Sequence, residues 1–170
     1  MEQNQLTPRP VSVSRAEHTQ ILLAEHLNGS GRLFGGRLME WIDIVAGVAA
    51  RRHSGCNVTT ASIDTLHFKS PAFVNDTVVL VAKVTYVGRT SMEVRVRTYV
   101  EAPGGARKLI NEAFVVIVAL DENDRPTPVP PLVAQNEEEE RIMREAALRQ
   151  QMRKERLREL KSAQTAGASV

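Results

Sequence analysis

Residues Asn28 to Asp43 read N-G-S-G-R-L-F-G-G-R-L-M-E-W-I-D, and this stretch decides the fold. Its first half is a loop punctuated by Gly29, Gly31 and the pair Gly35-Gly36; its second half opens an apolar helix. A glycine-opened helix start offers backbone N–H groups that have no intrahelical acceptor, at the positive end of the helix dipole. Such a start can stabilise negative charge developing on a carbonyl oxygen. Two turns further on, Asp43 places a carboxylate on a turn that otherwise reads as buried, where it can act on that carbonyl. Glu40 is the rival acid, and its spacing from Arg37 suits an exposed ion pair.

Outward from this stretch, the helix is expected from about Gly36 to His53. Leu38, Met39, Trp41, Ile42, Val45, Ala46, Val48 and Ala49 surround most of its circumference, the pattern of a buried helix. Upstream, Val11 to Leu23 alternates weakly and reads as a first strand. Residues 1–15, with Pro8 and Pro10, read as a flexible N-terminus. Downstream, Val58–Phe68 is rich in Thr, Ile and Val, and Thr77–Val87 follows an Asn75-Asp76 turn. Thr90–Glu101 sets Met92, Val94, Val96 and Val100 on one face and Glu93, Arg95, Arg97 and Glu101 on the other, as in a half-buried antiparallel strand. Pro103-Gly104-Gly105 turns the chain into a last strand over Arg107–Leu120. Short turns make consecutive strands antiparallel neighbours. The simplest packing is a curved antiparallel sheet wrapped around one long helix, an α+β fold.

Beyond Leu120 the character changes. Pro126, Pro128, Pro130 and Pro131 predict a stiff spacer. A charged helical tail over residues 133–170 follows, opened by Glu137 to Glu140. Residues 137–161 hold eight Lys/Arg and seven Asp/Glu, so the charge is mixed and the tail reads as solvated.

Composition narrows the function. A formal net charge of +2 and 4% aromatics do not suit a nucleic-acid surface. A single cysteine, Cys56, excludes an internal disulfide and fits a reducing compartment; it reads as a passive small residue. The longest apolar run, Ala113–Leu120, is far short of the roughly 20 residues that span a bilayer. With no apolar leader near Met1, the expectation is a soluble cytoplasmic protein with no membrane partner. Neither a P-loop nor a zinc spacing is present, so no metal or cofactor is expected.

The opening stretch resembles the N-x-x-G-x-L-F-G-G-x-L-M-x-x-x-D signature of bacterial hotdog-fold acyl-CoA thioesterases, the group that includes the YciA type and the domains of brain acyl-CoA hydrolase. The likeness continues through V-T-T-A-S-I-D (58–64), H-F-K-S-P (67–71), V-G-R-T-S-M-E-V (87–94) and V-A-L-D-E (118–122), over roughly residues 16–132. It implies a hotdog domain over 16–132, pairing into homodimers that assemble as a homohexamer, and hydrolysis of the acyl-CoA thioester. By resemblance, Asp43 is the catalytic acid, Asn28 its partner from the other subunit, and Gly35 the backbone donor to the thioester oxygen. Gly36, Thr60, Lys69 and the turn Gly88-Arg89-Thr90-Ser91 are the candidate substrate-binding residues, the turn lying near the nucleotide end of CoA.

The residues alone leave alternatives. Without the resemblance, Asp43 would read as satisfying a buried polar neighbour, and Asn28 as part of an ordinary tight turn. His53 reads as a helix-end residue, His26 and His67 as structural, and Thr59 and Thr60 as strand formers before pocket hydroxyls. Asp43 can serve as general base or as nucleophile. Two other functions use the same fold: a non-catalytic acyl-CoA sensor, which needs an output domain, and a dehydratase, which needs a histidine beside the acid.

Overall fold

A computed structural model describes residues 6–167 of the chain. Its axis is helix α1 (Gly35–Ser54). The helix begins where Phe34 is still extended (φ −68°, ψ 124°) and stops at Gly55, whose φ of +74° is the left-handed conformation that glycine adopts without steric cost. Among the described residues seven strands accompany it: β1 (Arg9–Pro10), β2 (Ala16–Ile21), β3 (Asn57–Phe68), β4 (Thr77–Val87), β5 (Ser91–Glu101), β6 (Arg107–Leu120) and β7 (Leu132–Val133). A second helix, α2 (Glu137–Gly167), follows.

Strands β2 to β6 form an antiparallel sheet in the order β2-β4-β5-β6-β3, and α1 packs against every strand of it. The period-2 pattern of the strands sends Val84, Val94 and Ile117 inward to meet Ile42, Ala46 and Ala49 of α1, all fully buried. This is the hotdog arrangement of a sheet around a central helix. Strand β3 pairs only with β6, so its other edge is free within the single chain.

Burial departs from the sequence expectation at four places outside the candidate site. Helix α1 is apolar nearly all round, yet Met39, Ile44 and Val48 are 41%, 52% and 39% exposed, so these three apolar side chains have no full cover inside the chain. Glu93, assigned to the polar face of its strand, is 1% exposed; Thr85 Oγ1 donates to its Oε1 at 2.9 Å, beside the register shift between Val84 and Tyr86. A carboxylate is retained inside only where such bonds satisfy it. Residues 9–14 are not loose: Val11 and Ser14 are buried, and Ser14 Oγ accepts from Val84 N at 3.0 Å. The proline segment is not a free spacer either. Val129 and Pro130 are buried, and β7 pairs in parallel with β1. Its prolines remove donors, but its carbonyls accept from Arg9 N and His53.

By internal contacts the chain divides into compact units of residues 1–133 and 134–170. In the second, Asn136 Oδ1 accepts from Glu139 N at 2.9 Å, and four glutamates occupy the first turn of α2, as the helix dipole favours. Among the described residues no helix is long and apolar enough to cross a membrane.

Candidate active site

The site is assembled from the start of α1, the loop before it and strand β3. Leu38 N donates to Phe34 O at 3.0 Å, the first bond of the helical ladder. The N–H groups of Gly35, Gly36 and Arg37 precede it and have no helical acceptor. No side chain caps this end. Three donors without a helical acceptor at the positive end of a 20-residue helix are an arrangement that can stabilise negative charge on an oxygen.

Two turns along, Asp43 is exposed rather than buried, on the same side of the helix as Gly35 and Met39. Thr60 Oγ1 donates to Asp43 Oδ1 at 2.5 Å. Thr60 faces the helix because β3 pairs with β6 in a register that sets Thr60 against Ile117, and the shift after Thr60 bends the strand there. One carboxylate oxygen is thus fixed by a hydroxyl, and Oδ2 is left for a water or a substrate. Glu40, by contrast, is held by Arg37 at 2.6 Å.

Asn28 lies in the loop closed by the Leu27–Leu33 bridge. Its Oδ1 accepts from Ser30 N (2.9 Å) and Arg32 N (3.2 Å). With the oxygen spent on the loop, the side-chain NH2 is the group left to reach outward, as a donor. Asn28 and Asp43 do not bond to each other within the chain. Gly88 N donates to Ser91 O at 2.8 Å, closing the β4–β5 turn, with Arg89 exposed at its tip. The Arg89 carbonyl accepts from Val129 N, which ties the turn to the proline segment. Lys69 is 3.9 Å from Glu112, a carboxylate that burial would raise but that Arg95 and Arg97 hold below its ordinary pKa.

The remaining candidates fall out as structure. His53 is fully buried; its Nε2 lies 2.9 Å from Pro130 O, and burial lowers its pKa while the Pro130 bond opposes and the Arg9 charge adds to the shift. His26 Nδ1 accepts from Leu23 N, and its ring meets Trp41 edge-on at 5.2 Å. Cys56 sits in a cleft of about 580 Å3 with Arg51, Asn57 and Asp121, at the far end of α1 and lined by none of the candidate residues. Among the described residues no cluster of His, Cys, Asp and Glu is arranged to hold a metal ion.

Comparison with known proteins identifies the family. Residues 30–106 match the thioesterase superfamily model. The chain is 42% identical over 132 residues to YkhA of Bacillus subtilis, named an uncharacterized acyl-CoA thioester hydrolase, covering 77% of each protein. The chain belongs to the thioesterase superfamily. Among solved thioesterases, a hexameric acyl-CoA thioesterase in its apo form is 41% identical with a TM-score of 0.85, covering 89% of this chain and 98% of that one. An acyl-CoA hydrolase of Staphylococcus aureus, solved with butyryl coenzyme A, coenzyme A and coenzyme A disulfide, is 30% identical with a TM-score of 0.87, covering 95% and 99%. Other thioesterase relatives are longer: mouse acyl-coenzyme A thioesterase 11 is 37% identical over 149 residues, 86% of this chain but 25% of its own length.

Proposed function

We propose that this chain hydrolyses the thioester bond of acyl-CoA to a free fatty acid and CoA. The observation that carries the reading is the Thr60–Asp43 hydrogen bond of 2.5 Å on the helix whose glycine start presents free N–H groups. The thioester oxygen lies at Gly35 N–H, which polarises the carbonyl. Asp43 takes a proton from a water through its free oxygen, and that water attacks the carbonyl carbon. The oxyanion forms at Gly35 N–H and collapses, the carbon–sulfur bond breaks, and the CoA thiolate receives the proton from Asp43. A donor of this kind is typically worth ~3–4 kcal/mol of barrier. CoA is part of the substrate and no further cofactor takes part.

Asn28 holds the water or the acyl oxygen by its NH2 group, from the other subunit of a homodimer. Gly36 and Thr60 line the acyl end of the site; Arg89, Thr90, Ser91, Gly88 and Lys69 receive the nucleotide phosphates. The exposed apolar side chains of Met39, Ile44 and Val48 on α1 and the free edge of β3 support a paired assembly, and the hexameric relative supports three such pairs. The working unit is the hotdog domain of residues 16–132, with the tail dispensable for chemistry. Release of free thiol from a panel running from acetyl-CoA to palmitoyl-CoA tests the activity; no release from any member removes the proposal. A mixed dimer of Asn28→Ala and Asp43→Ala subunits should recover up to about half of native activity, because one of its two sites is intact. A verified mixed dimer as inactive as its parents removes the shared site.

A further inference from the structure

Phe34 and Phe68 stand at the helix start with no role assigned above. Phe34 precedes Gly35, and Phe68 ends β3. Both rings are more than half exposed, at 55% and 56%. Each nevertheless fills the space that a glycine leaves open. A Cβ on Gly35 would stand 3.3 Å from Phe68 Cζ, and one on Gly36 would stand 2.6 Å from Phe34 Cε1. The second distance is shorter than real Cβ contacts allow, so a side chain at Gly36 would force the Phe34 ring out of its place.

The backbone that carries these rings is tied on both flanks. Phe34 N donates to His26 O at 2.9 Å, and Leu33 N to Ala72 O at 2.8 Å. Phe68 is paired with Asn111, whose Nδ2 donates to His67 O at 2.9 Å, and Lys69 N donates to Ile110 O at 2.8 Å. The backbone on both flanks of each ring is therefore fixed. Two aromatic rings exposed to solvent on fixed backbone, beside unbonded N–H groups, make an apolar border around a polar target. Such a border suits a ligand with a polar atom for the donors and hydrocarbon next to it.

We infer that Phe34 and Phe68 are specificity-determining residues whose rings receive the acyl carbons adjoining the thioester carbonyl. This rests on the proposed hydrolysis, with the carbonyl oxygen at Gly35 N–H. The substrate class that follows is an apolar acyl group longer than acetyl, in preference to one of equal length ending in a carboxylate, whose charge would lose hydration against the rings. Each methylene covered by a ring contributes a factor of about 4, so the two extra methylenes of butyryl are worth on the order of 15-fold over acetyl.

The test compares kcat/KM on acetyl-, butyryl- and succinyl-CoA for the native chain, Phe68→Ala, Phe68→Leu and Phe34→Ala, with assembly size followed by light scattering. In Phe68→Ala the loss on butyryl-CoA should exceed the loss on acetyl-CoA by about tenfold, and Phe68→Leu, which keeps an apolar wall, should retain most of the butyryl preference. Phe34→Ala should show the same sign. Equal losses on both substrates would mean that the ring only supports the helix start, and the inference falls. It falls equally if assembly changes while the ratio stays, because the rings then serve a second copy of the chain. Binding of the ethyl and butyl thioethers of CoA separates the two proposals. A native chain that hydrolyses nothing removes the hydrolase reading alone, provided it prefers the butyl thioether and Phe68→Ala does not; an unchanged thioether ratio in Phe68→Ala overturns the wall.

Discussion

At its C-terminal end, helix α1 has its last carbonyls taken. Gly55 N donates to Arg51 O at 2.8 Å, and the Arg9 guanidinium donates to Arg52 O at 3.2 Å and His53 O at 2.8 Å. His53 itself is buried against Pro130. At its N-terminal end the same helix has no side-chain cap, two half-exposed rings and an exposed carboxylate two turns in. Both ends carry the same kind of unsatisfied backbone group, donors at one and acceptors at the other. The chain satisfies one set with its own arginine and glycine and leaves the other set open. Stability is invested where the groups are closed, and the capacity to bind is kept where they are open.

The sharpest way to break this contrast is at Asp43. Asp43→Ala should cut turnover by at least ~10²-fold, the scale of a lost acid–base group. Because the carboxylate is exposed and alanine is the better helix former, melting temperature should change little. Near-normal thiol release would remove Asp43 from the chemistry. Arg89→Ala should act through binding, raising KM for a full acyl-CoA on the order of tenfold, as expected for a charge-assisted phosphate contact. An acyl-pantetheine without the nucleotide should show no such rise, and equal rises on both substrates would remove the phosphate role.

The closed end should answer in stability instead. Gly55→Ala forces a side chain into φ +74°, and the left-handed conformation costs roughly 1–2 kcal/mol. Denaturant unfolding should show that loss, while turnover per folded molecule stays at the native value. A parallel fall in turnover would mean that the two ends of α1 are not separable.

How much of this was legible beforehand follows the same division. The strands from Thr77 to Leu120 and the helix were readable because their periodicity is local and their turns carry Pro, Gly, Asn and Asp. The glycine pair pointed to the helix start for the same reason. What could not be read depends on contacts distant in sequence. Thr60 was a candidate hydroxyl, but its bond to Asp43 exists only through the register of β3 on β6. Asp43 was expected on a buried turn, since an apolar neighbourhood in sequence does not say which face the single chain covers. The proline run read as a spacer because prolines signal missing donors, whereas its partners need only its carbonyls. Phe34 and Phe68 are 34 positions apart by number, and nothing in either stretch alone says that their rings close on adjacent glycines.

The smallest effect expected is one of pH, and it belongs to the closed end. His53 has its pKa lowered from 6.5, first by burial and then by the Arg9 charge, against the opposing bond to Pro130. A proline carbonyl can only accept, so Nε2 carries the hydrogen, and Nδ1 is buried with no partner. Protonation would add a second N–H at Nδ1 with nothing to receive it, beside a guanidinium. The unfolded chain therefore binds a proton more readily than the folded one as pH falls through 6.5. Stability from this residue is complete above that value and is lost progressively below it, down through the folded pKa. His53→Gln keeps a donor for Pro130 but has no group that titrates. Its unfolding free energy should vary less than the native chain's between about pH 5 and 7, the range in which histidine charges. Equal slopes in the two proteins would show that the closed end is held by Arg9 and Gly55 without any contribution from the neutral imidazole.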